Sequence, residues 1–143
     1  MKIFLDANVY FAGFYSKTGA SSVLLELIRL RKCEGFTSRL VLREAERNLR
    51  LKAEPPVLKS FHQFLKTTPL KICPPPKPAQ LAKYESLIHP KDVPVLAAAV
   101  EARVDFLITL DRRHFMTPEL LKKISSPKIL TPGEYLMNEW SQT

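Results

Sequence analysis

The chain has 143 residues, 45% apolar and 25% charged, which suits one soluble globular domain over residues 1–143 whose core needs no disulfide or structural metal. A net charge of +8 and a pI near 9.7 favour an anionic partner, most simply nucleic acid. Two distant cysteines, Cys33 and Cys73, argue against a zinc or dithiol motif and suit a reducing cytosol. No run is long enough for a membrane span, and the N-terminal stretch, broken by Asp6, is too short and too acidic for a signal peptide. The expectation is therefore a cytoplasmic protein with no membrane partner.

Residues 2–6 form an apolar run that reads as a buried strand ending in Asp6. Residues 8–19 read as a loop, with Gly13 and Gly19 as breakers. The spacing of Val23, Leu24, Leu27, Ile28 and Leu30 predicts an amphipathic helix over 20–31. A short strand over 33–37 follows, and Ser38 is placed to cap a helix running to about Leu51, with Glu44 inside it. Pro55 and Pro56 open a helix over 57–66, and 70–73 reads as a further short strand. Pro74, Pro75, Pro76 and Pro78 make a stiff connector rather than a ligand for a proline-recognition domain. Helix resumes over 79–88.

Asp92 opens an Ala- and Val-rich helix over 93–103, with Pro94 in its first turn. A strand over 104–110 leads into Asp111. A short helix over 118–124, a strand over 128–130 and a Thr131-capped helix over 132–140 complete the chain. Strands alternating with helices imply an α/β fold, a three-layer α/β/α sandwich around a mostly parallel central sheet with right-handed crossovers.

Four acids carry the functional expectation. Asp6 and Asp111 end apolar strands, where open α/β sheets bind ligands. Glu44 and Asp92 lie on the neighbouring helices. Each also has a structural explanation: Asp6 as the cap of the following loop, Glu44 as a solvated acid beside Arg43 and Arg47, Asp92 as an N-cap, and Asp111 as the start of a turn. Gathered together, their repulsion calls for a cation, and hard oxygen ligands suit Mg2+ or Mn2+. Metal-assisted chemistry on phosphates is the first hypothesis.

The ordered set Leu5-Asp6-Ala7-Asn8, Ser38 with Glu44, Lys91-Asp92 and Ile108-Thr109-Leu110-Asp111, followed by Phe115, resembles the PIN-domain family over about residues 2–137. The resemblance implies a parallel sheet with helices on both faces and acids at its carboxyl end holding magnesium or manganese. It also implies ribonuclease activity. Asp6, Asp92 and Asp111 are similar to the family's metal-binding aspartates, and Glu44 to its glutamate. Asn8 and Thr109 are similar to polar residues that support the acids or touch the phosphate. The chain departs from the pattern at Leu110, where glycine is frequent, and at His114, where a further aspartate is frequent. His114 reads either as a weak ligand facing phosphate or as an exposed loop histidine.

Metal held by these acids would lower the pKa of a bound water and polarise phosphoryl oxygens, with one ion and a proton-handling Glu44, or with two ions about 4 Å apart. The resemblance implies products with a 5′-phosphate and a 3′-hydroxyl. Attack by the RNA 2′-hydroxyl calls for a histidine pair, and His62, His89 and His114 are scattered in sequence. Because the site is acidic, affinity for RNA must come from around it. Arg112 and Arg113 directly follow Asp111, and Arg43, Arg47, Arg50 and Lys52 lie on the Glu44 helix. Tyr10, Phe11, Phe14 and Tyr15 either stack on bases or pack against the first helix. The resemblance further implies that a small protein of this kind serves as the toxin of a toxin–antitoxin pair, with a protein antitoxin and a homodimer as partners. An RNA-processing nuclease without an antitoxin has the same residues. A non-catalytic nucleic-acid-binding module is the alternative class, and it predicts binding that survives loss of the acids. A phosphatase or phosphorelay domain fits less well, since Asn8 stands where a dehalogenase-type phosphatase needs a second aspartate.

Overall fold

A computed structural model describes residues 1–140 of the chain. Five strands form one sheet: β1 (Lys2–Leu5), β2 (Glu34–Ser38), β3 (Leu70–Cys73), β4 (Phe106–Ile108) and β5 (Lys128–Leu130). Their spatial order is β3-β2-β1-β4-β5, and every pairing is parallel. β1 is central, with Phe4 opposite Phe36 on one side and Leu107 on the other. Ile3, Phe4, Leu5, Leu107 and Ile108 are fully buried, as strands covered on both faces require.

Each strand-to-strand connection is helical. α1 (Ala7–Tyr15) and α2 (Ala20–Arg29) join β1 to β2, and α3 (Arg39–Lys52) and α4 (Pro55–Thr67) join β2 to β3. α5 (Pro78–Ala82), a 3-10 turn (Pro90–Asp92) and α6 (Val93–Glu101) join β3 to β4. α7 (Arg112–Phe115) and α8 (Pro118–Lys123) precede β5, and α9 (Pro132–Glu134) follows it. The path runs outward from β1 to β3, then returns past β1 to β4 and β5. Right-handed crossovers therefore place α1 to α4 on one face and α5 and α6 on the other. This is the expected three-layer α/β/α arrangement, with a sheet that is wholly parallel. Strand order reverses between β1 and β4, so the switch point lies where Asp6 and Asp111 leave the sheet.

Several local expectations need correction. Residues 8–19 are not a loop, because α1 occupies Ala7–Tyr15. The Asp6 side chain caps it by accepting the Ala7 N–H at 2.7 Å, and Val9 and Tyr10 are buried. Gly13 breaks nothing; it lets α1 approach α2, since a side chain there would collide with Leu25. α2 and α6 stop two residues before the expected Arg31 and Arg103, which adopt left-handed backbone with φ of 62° and 56°. Of residues 79–88, only the first part is helical, in α5; turns carry the chain onward while Tyr84 and Ile88 are buried. The final helix is a three-residue α9 passing into a π-helical segment, Tyr135–Glu139. Ser38 and Thr131 cap as expected, accepting the Val41 N–H at 3.2 Å and the Glu134 N–H at 3.1 Å. Among the described residues, no helix is long and apolar enough to cross a membrane.

Candidate active site

The site is built on the carboxyl ends of β1 and β4. Asp6 follows β1 directly and is only 7% exposed. Its Oδ1 caps α1, and its Oδ2 accepts the Thr109 hydroxyl at 2.8 Å and the Asn8 amide at 3.3 Å. Thr109 follows β4 and is fully buried. Its Oγ1 accepts the Asp111 N–H at 3.1 Å and the Asn8 amide at 3.3 Å. Asn8 completes the lattice by accepting the Leu110 N–H at 3.1 Å through its Oδ1. Two adjacent strands are thus locked at their ends by three polar side chains. Thr109 reaches the site through Asp6 and Asp111 rather than by open contact.

Asp92 and Asp111 are joined by a histidine. His114 Nδ1 lies 2.8 Å from Asp92 Oδ2 and 3.3 Å from Asp111 Oδ2. Two carboxylate acceptors assign a hydrogen to that nitrogen. Asp111 Oδ1 also accepts the His114 N–H at 3.0 Å, so Asp111 starts α7 as its cap. Asp92 stands at the start of α6 but makes no capping bond. Its carboxylate is turned to the site instead, against the N-cap explanation. Glu44 meets Lys91 Nζ at 3.5 Å.

Electrostatics place the acids together. Burial raises the Asp6 carboxyl to about 6, against the lowering effect of its Thr109 and Ala7 hydrogen bonds, and the negative charges of Asp92 and Glu44 raise it further. Asp92, at the start of α6, and Glu44, on α3, therefore act on Asp6 at the end of β1, and His114 joins Asp92 to Asp111 after β4. A cation among them would relieve the repulsion that Asp6 feels, and oxygen donors suit a hard divalent ion. His89, Asp92 and His114 bring ligand atoms within 4.8 Å of one another, adding nitrogen donors at the same edge. The donor set fits a divalent metal.

His89 and His114 correct the expectation of scattered histidines. Their rings stack in parallel, 4.8 Å apart, while His62 pairs with Glu46 elsewhere. His89 and Lys91 were missed as site residues. The available signal was placement: His89 lies one turn before Asp92, as His114 lies one turn after Asp111.

The basic candidates divide. Arg112 Nη1 lies 3.7 Å from Glu134 and 3.8 Å from the Met116 sulfur, while Arg113 is exposed. Arg50 pairs with Glu46, and Lys52 sits over the Phe11 ring. Arg43 and Arg47 are exposed without an ion pair among the described residues. Tyr10 and Phe14 pack edge-on against Phe61 and Phe64 of α4, and Phe11 stacks on the exposed Tyr15.

This arrangement, acids at the switch point of a parallel sheet, has a counterpart in known proteins. The profile of the PIN domain matches residues 2–113. The chain belongs to the PIN-domain family, whose members are nucleases that use divalent metals. Among solved structures, the chain is similar in fold to one in the crystal structure of VapBC2 from Rickettsia felis bound to a DNA fragment from its promoter. The TM-score is 0.60 at 18% identity, over 91% of this chain and 97% of that one. No curated protein matches the chain.

Proposed function

We propose that residues 1–143 act as a single-domain ribonuclease that depends on Mg2+ or Mn2+. The observation that carries this reading is the grouping of acids around the buried Asp6, whose carboxyl is raised to about 6 by burial and by the charges of Asp92 and Glu44, with Asp111 joined to Asp92 through His114. A bound divalent ion there would neutralise charge at phosphorus, polarise a phosphoryl oxygen and make a water acidic enough to attack. The four acids would hold it. Thr109 and Asn8 fix the Asp6 carboxylate, and His114 holds Asp92 and Asp111 in mutual register. Glu44, steadied by Lys91, would orient the attacking water and take its proton. Arg113, exposed after Asp111, would steady a phosphate, whereas Arg112 must first leave Glu134. RNA as substrate is supported by the +8 charge around an acidic pocket.

The likeness in fold to a VapBC2 chain supports, for this protein, the role of a toxin held by a protein antitoxin; a homodimer as its working form is part of the proposal. A second reading is favoured by the stacked His89 and His114, which could serve attack by the RNA 2′-hydroxyl. The two rings stack on each other, 4.8 Å apart, whereas in-line transesterification needs its acid and base on opposite sides of phosphorus, so hydrolysis is the better fit. The test is cleavage of single-stranded RNA with Mn2+ or Mg2+, with EDTA, and with Asp6→Asn and Asp92→Asn. Cleavage confined to the metal-loaded wild type, leaving 5′-phosphate ends, is expected. Cleavage that persists in EDTA, or that leaves cyclic phosphate ends, would sink the proposal.

A further inference from the structure

A groove of about 580 Å³ on the carboxyl rim of the sheet has no part in the chemistry above. It runs between the start of α3 and the segment after β3, with walls that include Leu40, Ile72 and Pro74 to Pro76. Leu40 and Ile72 are each 47% exposed, so the walls offer apolar surface to solvent. Arg39 and Arg43 form its charged border. With Arg47 they stand four residues apart on α3, exposed and without an ion pair among the described residues. That spacing makes a slowly drifting stripe with about 6 Å between successive guanidinium stems, comparable to the repeat of an extended nucleic-acid backbone.

The groove's position follows from the topology. Ser38 and Cys73, the last residues of β2 and β3, line it, and Asp6 follows the adjacent strand β1. Neighbouring strands are roughly 5 Å apart, so the groove begins one to two strand widths from Asp6. Pro94, two residues past Asp92, and Arg43, next to Glu44 in sequence, also line the groove. A strand whose scissile phosphate sits at the acids would bring its neighbouring nucleotide here.

We propose that this groove is a nucleotide subsite. It takes the base next to the scissile phosphate, stacked between the apolar wall and the arginine planes, while Arg39, Arg43 and Arg47 follow the phosphates. The inference rests on the ribonuclease reading and deepens it. Flat apolar walls beside unpaired arginines are the chemistry that holds unstacked bases of single strands. They also supply, beside an acidic pocket that repels RNA, the affinity the pocket lacks.

The experiment uses the full chain with Mn2+ and an oligouridylate carrying one abasic spacer, its cleavage ladder compared with that of the unmodified oligomer. In the wild type, one bond at a fixed offset from the spacer is cut about tenfold more slowly, the scale of one lost base stack. Leu40→Ala and Ile72→Glu, both at exposed positions, slow cleavage of the unmodified oligomer and erase the gap in the ladder. A wild-type ladder without a gap overturns the subsite while leaving the nuclease intact. A gap that persists in both variants places the base elsewhere and also overturns it. No cleavage of either oligomer by the wild type brings down the ribonuclease reading and the subsite together.

Discussion

Thr109 donates to Asp6 and receives the Asp111 amide, so one buried hydroxyl aligns acids on two strands. Its hydrogen bond holds the Asp6 carboxyl lower than burial alone would set it. Thr109→Val keeps the shape and removes the bond. In the metal-free protein Asp6 ionises as pH rises through about 6, and that midpoint should move to higher pH in Thr109→Val. A carboxyl NMR titration in EDTA checks this; an unmoved midpoint would separate Thr109 from the ionisation of Asp6. The same variant should lose about 1.5–3 kcal/mol of stability at pH 8, the usual worth of a hydrogen bond to a charged group. At this scale the acids were legible because strand ends and helix starts are readable from apolar runs. The stacking of His89 on His114 was not, since it depends on two loops meeting across the rim.

Element boundaries reveal where local signals fall short. The helix of α1 was hidden because Gly13 reads as a breaker, although within the fold it is the point of close approach to Leu25. The ends of α2 and α6 were overrun because arginines, not glycines, occupy the left-handed positions that close them. Such backbone is unfavourable for a residue with a Cβ. Arg103 is exposed, with φ of 56°, so Arg103→Gly should raise stability by roughly 0.5–1 kcal/mol. Chemical denaturation should move to a higher midpoint with an unchanged slope, and a fall would show that the arginine side chain matters more than its backbone. α3 was legible almost to the residue because Ser38 caps it and its buried face, Val41, Ala45 and Leu49, keeps a regular period.

At the scale of the molecule, a net charge of +8 surrounds a pocket of carboxylates. RNA affinity should fall steeply with salt, and each phosphate contact removed should reduce the slope of log affinity against log salt by about 0.7. Titrations in EDTA at several KCl concentrations, comparing the wild type with Arg113→Ala, measure this; equal slopes would remove Arg113 from the RNA path. The parallel sheet and its order of helices were legible because alternation alone implies them. The burial of Asp6 was not, because it depends on helices packed from both faces.

Asp6 directly follows the middle strand of the sheet. An acid held there without a counter-ion keeps its proton more tightly in the folded than in the unfolded chain. Its contribution to stability is therefore complete below pH 3.8 and lost as pH rises through about 6. Asp6→Asn removes this burden. At pH 8 without metal the inactive variant should be the more heat-resistant protein, by on the order of 2 kcal/mol, and the advantage should vanish near pH 4. Calorimetry would decide, and a less stable variant at pH 8 would refute it. Endurance and the proposed chemistry are thus set against each other at a single central side chain, and a bound cation would restore the robustness that its charge removes.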